Sequence, residues 1–147
     1  MGLNKLQDYT KVVELSLAAN TDNLDTFLEF IESNFGDLSV AAQTKLLTAA
    51  DEIFVNICNY AYVPRTGNVI IRVLAEHVVD DKTMFTVEFE DGGVPYNPLE
   101  KADPDTSLPA DERSEGGLGI FLTKKLMDNV EYRREGNKNI LKISKGL

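Results

Sequence analysis

The sequence predicts an α/β fold with a mixed, mostly antiparallel sheet and helices on one face. Three observations carry this expectation. Apolar residues recur with the two-residue period of strands in some segments and the 3–4 residue period of helices in others. These segments run strand, two helices, two strands, a long irregular stretch, a helix and two strands, whereas a doubly wound parallel sheet needs single alternation. The chain of 147 residues has the size of one core.

Residues 12–17 read as a strand, with Val13, Leu15 and Leu17 on one face. Asn20, Thr21 and Asp22 offer caps for a helix reaching Asn34, with Leu24, Phe27, Leu28 and Ile31 at helical spacing and Gly36 ending it. Ser39 caps a second helix over residues 40–61, whose apolar stripe is Leu46, Ala50, Ile53, Phe54, Ile57 and Ala61. A turn at residues 64–68 leads to a strand over 69–79, a hairpin tip at 80–82 and a partner strand over 84–90. Residues 92–114 carry four Gly or Pro in their first half and many polar residues after, and read as a long mobile loop, a length that is usually functional or disordered. A helix over 119–128 and strands over 130–134 and 139–144, joined by a turn at 135–138, complete the chain.

Composition excludes several classes of function. The net charge of −9 disfavours general nucleic-acid binding, since phosphate backbones need a basic footprint. No apolar run approaches membrane-spanning length, and Met1-Gly2-Leu3-Asn4-Lys5 lacks the apolar core of a signal peptide, so a cytoplasmic protein without membrane contact is expected. Cys58 is the single cysteine and falls in an apolar helical stretch, which predicts a structural thiol. His77, the single histidine, falls in a strand with no dimerisation helices around it.

Three separated segments could carry chemistry. Glu52 and Asn56 stand four residues apart and share a helix face; this is either a solvated polar face or a site where Asn56 gives an amide oxygen to Mg²⁺ while Glu52 acts on a water or hydroxyl. Asp91-Gly92-Gly93 ends a strand, as a simple turn or as an aspartate accepting a hydrogen bond from an exocyclic amine such as that of adenine. Gly116-Gly117-Leu118-Gly119 opens a helix, as a flexible connector or as a row of N–H groups facing an anion at the positive end of the helix dipole. Its spacing is neither the dinucleotide fingerprint nor the P-loop pattern.

Taken together, Glu52-Ile53-Phe54-Val55-Asn56, Asp91-Gly92-Gly93-Val94-Pro95-Tyr96-Asn97-Pro98 and Glu115-Gly116-Gly117-Leu118-Gly119-Ile120-Phe121-Leu122 resemble the N, G1 and G2 boxes of the ATPase superfamily of DNA gyrase and sensor histidine kinases. Within it the chain resembles the stand-alone anti-sigma factor serine/threonine-protein kinases of bacteria, through Asn56-Ile57-Cys58-Asn59-Tyr60-Ala61-Tyr62 and Leu122-Thr123-Lys124-Lys125-Leu126-Met127-Asp128. The resemblance implies a two-layer sandwich, a single domain over residues 1–147 and an ATP lid over about residues 93–116. It implies that Glu52 is the general base, Asn56 the Mg²⁺ ligand, Asp91 the reader of adenine and Gly93 its neighbour beside the base. Gly117 and Gly119 would cradle phosphate, with Gly116 and Leu118 in the same box. The chain departs from the pattern at Tyr60, where many relatives have histidine, and at Gly116, where many have a basic residue. Arg113 is the candidate to reach the γ-phosphate in its place.

The implied activity is transfer of the γ-phosphate of ATP to a serine on an anti-anti-sigma antagonist, by a homodimeric protein that otherwise holds a sigma factor. The rival reading is a nucleotide-gated binding module without significant phosphotransfer. Retention of Glu52 favours the first, and Tyr60 and Gly116 favour the second.

Overall fold

A computed structural model describes residues 11–79, 81–100 and 117–146, with the side chains of residues 11, 76–79, 117 and 118 excepted. Five strands form one sheet: β1 (Lys11–Ala18), β2 (Asn68–Val79), β3 (Lys82–Asp91), β4 (Asn129–Glu135) and β5 (Lys138–Gly146). Three α-helices are described: α1 (Leu24–Glu32), α2 (Val40–Tyr60) and α3 (Gly117–Leu126). The sheet order is β1-β2-β3-β5-β4, and all four pairings are antiparallel. The α/β expectation with helices packed over the sheet holds, and the sheet, expected to be mixed and mostly antiparallel, has only antiparallel pairs among the described strands.

Strand alternation decides the two faces. Val69, Ile71 and Val73 of β2, Phe85, Val87 and Phe89 of β3, and Leu141 and Ile143 of β5 are all buried in one cluster with the helices. The stripe of α2 enters the same cluster through Leu46, Ala50, Ile53, Phe54 and Ile57. Phe27 of α1 ties the layers together: it stacks on Phe54 at 4.6 Å between centroids and tilts against Phe89 at 5.6 Å. Such ring pairs add to the area term that dominates folding. The opposite sheet face is charged. Arg72 sits between Glu14, Glu88 and Glu90 at 3.0–3.1 Å. Burial alone would lower the Arg72 pKa, but hydrogen bonds to Glu90 and Glu88 outweigh it and the net shift is upward.

Local signals set the element ends. The Ser39 hydroxyl accepts from Ala42 N–H at 3.2 Å and starts α2. Asn20 caps a 3₁₀ turn, Thr21–Asn23, instead of the α-helix itself, so α1 begins at Leu24 and ends at Glu32, before the expected Asn34. Gly36 takes the left-handed conformation, φ 57°, in the turn that follows. α3 begins at Gly117 and ends at Leu126, whereas the periodicity predicted 119–128. Asp128 leaves the helix because its N–H donates to Ser144 O at 2.9 Å and its carboxylate accepts from Gly146 N–H at 2.6 Å and Lys145 Nζ at 3.1 Å. Those partners on β5 pull the chain straight into β4.

Cys58 is half-buried on α2, and burial pushes its thiol up to about 11, so it is protonated at neutral pH, as a structural thiol is. His77 lies in β2 opposite Met84. Among the described residues no helix is long and apolar enough to cross a membrane. Most of the expected lid, together with Arg113 and Gly116, lies outside the described residues.

Candidate functional site

The last turn of α2 and the end of β3 meet above the sheet. Val94 N–H donates to the Ala61 carbonyl at 3.0 Å, which splices the segment after β3 onto the end of α2. Gly93 makes this approach possible: a Cβ there would lie on the backbone carbonyl of Ala61. Tyr62 reinforces the junction, since its hydroxyl donates to Asn68 O at 2.6 Å and accepts from Gly92 N–H at 2.7 Å. Burial raises the Tyr62 pKa, the bond from Gly92 N–H lowers it, and the negative charges of Asp91 and Glu90 raise it again, for a net upward shift.

Between α2, the segment after β3, α3 and the inner faces of β4 and β5 lies a cavity of about 400 Å³. Its apolar lining includes Ile53, Ile57, Pro95, Ile120 and Leu141, and its polar groups include Asn56, Asp91, Tyr132 and Asn139. This is the composition of a small-molecule site: apolar walls with a few convergent polar groups. A second cleft of about 160 Å³ adjoins it, lined by Glu52, Asn59 and Gly119, with Asn56, Tyr60 and Ile120 common to both.

Asp91 closes the inner end of the larger cavity and is 6% exposed. Its Oδ1 accepts from Gly93 N–H at 2.9 Å and from the Asn139 amide at 3.0 Å. No hydrogen bond among the described residues uses Oδ2. Since no buried side-chain oxygen among them lacks a partner, Oδ2 is open to the cavity. Asn139 was not legible as a site residue. It stands directly opposite Asp91 across the β3–β5 pairing, and only that register brings it to the site. Its sole sequence signal is an asparagine beginning a strand, which reads as turn chemistry.

Glu52 and Asn56 lie on the flank of α2 that faces α3, not on the outer solvent face. Asn56 is half-buried between the two cavities, and its amide makes no hydrogen bond among the described residues. Glu52 is exposed to the smaller cleft, and its carboxylate lies against Gly119; a Cβ at Gly119 would meet Glu52 Oε2. A side chain at position 119 would therefore displace the Glu52 carboxylate, while no backbone of α2 stands in its way. Thr123, fully buried, holds the same turn by donating to Gly119 O at 2.9 Å. Gly117 and Leu118 form the start of α3, where the first N–H groups of a helix have no intrahelical acceptor.

The structure thus brings Glu52, Asn56, Asp91 and Gly119 to one continuous pair of cavities, from segments far apart in sequence, while Gly93 lines neither and packs on Ala61 beside them. The pattern for histidine kinase-like ATPase domains matches residues 17–145. The chain belongs to the histidine kinase-like ATPase domain family. The match spans every described strand and helix, though it begins late in β1 and ends one residue before the end of β5. Comparison with curated proteins finds no match. Membership in this ATPase family makes ATP the expected ligand and a phosphotransfer or ATPase reaction the expected chemistry.

The donor set of the smaller cleft fits a hard cation. Asn56 offers it one amide oxygen beside the first turn of α3, and among the described residues no cluster of three or more His, Cys, Asp or Glu ligands occurs, so phosphates and water would supply the rest of the shell. The Glu52 carboxylate beside that helix start would repel a polyphosphate unless a cation intervened, and Mg²⁺ takes oxygen ligands shared between protein, phosphates and water.

Proposed function

We propose that this ATPase-family domain is a protein serine kinase of the anti-sigma type, with ATP in the paired cavities and a serine of an anti-anti-sigma antagonist as acceptor. The observation that carries the kinase reading is Glu52: a carboxylate exposed in the smaller cleft, against Gly119 and one turn from Asn56. The base of ATP would occupy the larger cavity, with its exocyclic amine on Asp91. The phosphates would run past Asn56 towards the start of α3.

In this reading Asn56 holds Mg²⁺, which neutralises charge on the phosphates when bound. The free N–H groups at the start of α3 receive the phosphate oxygens. The acceptor serine enters the smaller cleft, and Glu52 takes its proton. The serine oxygen forms a bond to the γ-phosphorus as the bond from that phosphorus to the bridging β–γ oxygen breaks, and ADP leaves with the electron pair. Glu52 is exposed in the cleft, so it reaches a macromolecular acceptor without rearrangement of α2.

The bacterial partner switch, a sigma factor as second target, the homodimer and the cytoplasmic setting complete the proposal and rest on the resemblance of the boxes. The nucleotide-gated binding module remains the second reading, favoured by one observation: Tyr60, 56% exposed, stands where the two cavities meet and where many relatives carry histidine. The test is transfer of labelled γ-phosphate from Mg-ATP to proteins that co-purify with the chain. The kinase reading expects a labelled partner with the unmodified protein and none with Glu52→Ala. Saturable ATP binding and ATP-dependent partner capture with no labelled protein would replace it with the gated module.

A further inference from the structure

Asn139 has an environment that no box describes, and its amide orientation is fixed by chemistry. Its Oδ1 accepts from Tyr132 hydroxyl at 2.6 Å, Arg134 guanidinium at 3.1 Å and Tyr96 N–H at 3.3 Å. Arginine and a backbone N–H can only donate, so this atom must be the oxygen. Its Nδ2 faces the Val94 carbonyl at 2.8 Å and Asp91 Oδ1 at 3.0 Å, both acceptors. A flipped amide would set acceptor against acceptor on one side and donor against donor on the other. Asn139 is 6% exposed, and Arg134 also donates to Gly93 O at 3.2 Å, so the amide is held from β4, β5 and the segment after β3 together.

The consequence falls on Asp91. A carboxylate oxygen has about two lone-pair sites. On Oδ1 both are taken, one by Gly93 N–H and one by Asn139. Asp91 is left with a single oxygen for a ligand. One oxygen satisfies a base edge that offers one amine, as the 6-amino edge of adenine does. A guanine edge offers adjacent N1–H and N2–H donors that need both oxygens of a carboxylate, and one of them would be left buried without an acceptor.

We propose that Asn139 is a specificity-determining positioning residue. By occupying Oδ1 it makes Asp91 a one-oxygen reader that accepts a single exocyclic amine and rejects the two-donor edge of guanine. This inference rests on nucleotide binding in the larger cavity, and its test keeps the two separable.

The experiment is calorimetric titration of the unmodified protein with Mg-ATP, Mg-GTP and the Mg complex of purine riboside triphosphate, which lacks the 6-amino group. The expected result is saturable ATP binding that weakens ~10-fold or more for each of the other two. If none of the three nucleotides binds, the nucleotide reading itself fails. If GTP binds as tightly as ATP, this inference fails and that reading stands. The same titrations on Asn139→Ala expect the ATP-to-GTP preference to fall at least ~5-fold, because the freed Oδ1 can take a second donor. A merely structural role would weaken both nucleotides by the same factor and leave the preference unchanged, and that result overturns the proposal. Should Asn139→Ala fail to fold by circular dichroism, Tyr132→Phe removes only one hydroxyl bond to the amide. It is expected to narrow the preference in the same direction, and an unchanged preference refutes the assignment.

Discussion

Replacing Asp91 with asparagine separates recognition from folding with the change of one atom. In the native protein Oδ1 accepts from Gly93 N–H and from Asn139 Nδ2. Both partners are donors, so an asparagine at position 91 must turn its own Oδ1 towards them and place its NH₂ where Oδ2 stood. The internal bonds survive as neutral ones, and the change in stability is expected to stay within ~1 kcal/mol. At the cavity the change is a reversal: an acceptor becomes a donor facing a donor amine. A hydrogen bond to a charged partner is worth about 1.5–3 kcal/mol, and 1.4 kcal/mol is tenfold in affinity. Asp91→Asn should therefore weaken Mg-ATP binding by roughly 10- to 150-fold while the melting temperature moves by less than ~4 °C. Calorimetry measures the first quantity and a circular-dichroism melt the second. Binding of Mg-ATP by Asp91→Asn within twofold of the unmodified protein would refute the placement of the base. A fall in affinity matched by a collapse of the fold would mean that Asp91 serves the β3–β5 junction instead of the ligand.

Gly93→Ala should lower stability by ~1–3 kcal/mol in a thermal melt, because the new methyl meets the Ala61 backbone carbonyl, which cannot move without breaking the Val94 bond. Gly119→Ala meets only the end of the Glu52 side chain, so it should leave stability within ~1 kcal/mol while displacing that carboxylate, read as a loss of phosphotransfer. Glu52→Ala should keep ATP affinity nearly intact and lower phosphotransfer by ~10²–10⁴-fold, whereas Asn56→Ala should lose the Mg²⁺ dependence of nucleotide affinity along with activity; equal effects of the two on binding would contradict their separate roles. Asp128→Asn should destabilise the fold by less than ~1 kcal/mol at pH 7, since the carboxylate is half exposed. The Gly146 N–H bond, followed by Lys145, holds the folded Asp128 pKa below its ordinary value. Its contribution is thus present above the unfolded value of ~3.9 and is lost as pH falls through the lower folded value, so the two melting curves should converge in acid.

Much of the fold was legible because local periodicity decides it. Val69, Ile71 and Val73 alternate, Leu46, Ala50, Ile53 and Phe54 follow the helix turn, and Ser39 marks where α2 starts. Element ends that depend on distant partners were not legible. α3 stops before Asp128 because Ser144, Lys145 and Gly146 bind that residue, and nothing near Asp128 in sequence announces it. α3 starts at Gly117, two residues earlier than expected, because glycines read as a connector when only their propensity is weighed. Gly119 is helical, and the lack of a side chain there leaves the Glu52 carboxylate its place one helix away.

The candidate site divides along the same line. Glu52 and Asn56 could be paired from sequence because one helix holds both, and Asp91 and Gly93 because one turn does. Asn139 could not, since it meets Asp91 only through the β3–β5 register, across an intervening helix and strand. The inner end of the cavity is consequently set by the sheet and its rim by the helices. Asp91 and Asn139 lie on adjacent strands whose neighbours Phe89 and Leu141 are buried in the core, so the Asp91 carboxylate is anchored to the core through its strand and its bonds from Gly93 and Asn139. Glu52, by contrast, stands exposed on a helix flank with no partner among the described residues to hold its carboxylate. The group proposed to read the base is thus held in place by the sheet, while the group proposed to meet the acceptor is held by no hydrogen bond among the described residues. In the proposed function the two would therefore respond to different perturbations: loosening the β3–β5 junction would degrade which base is bound, and displacing Glu52 would degrade what is done with it.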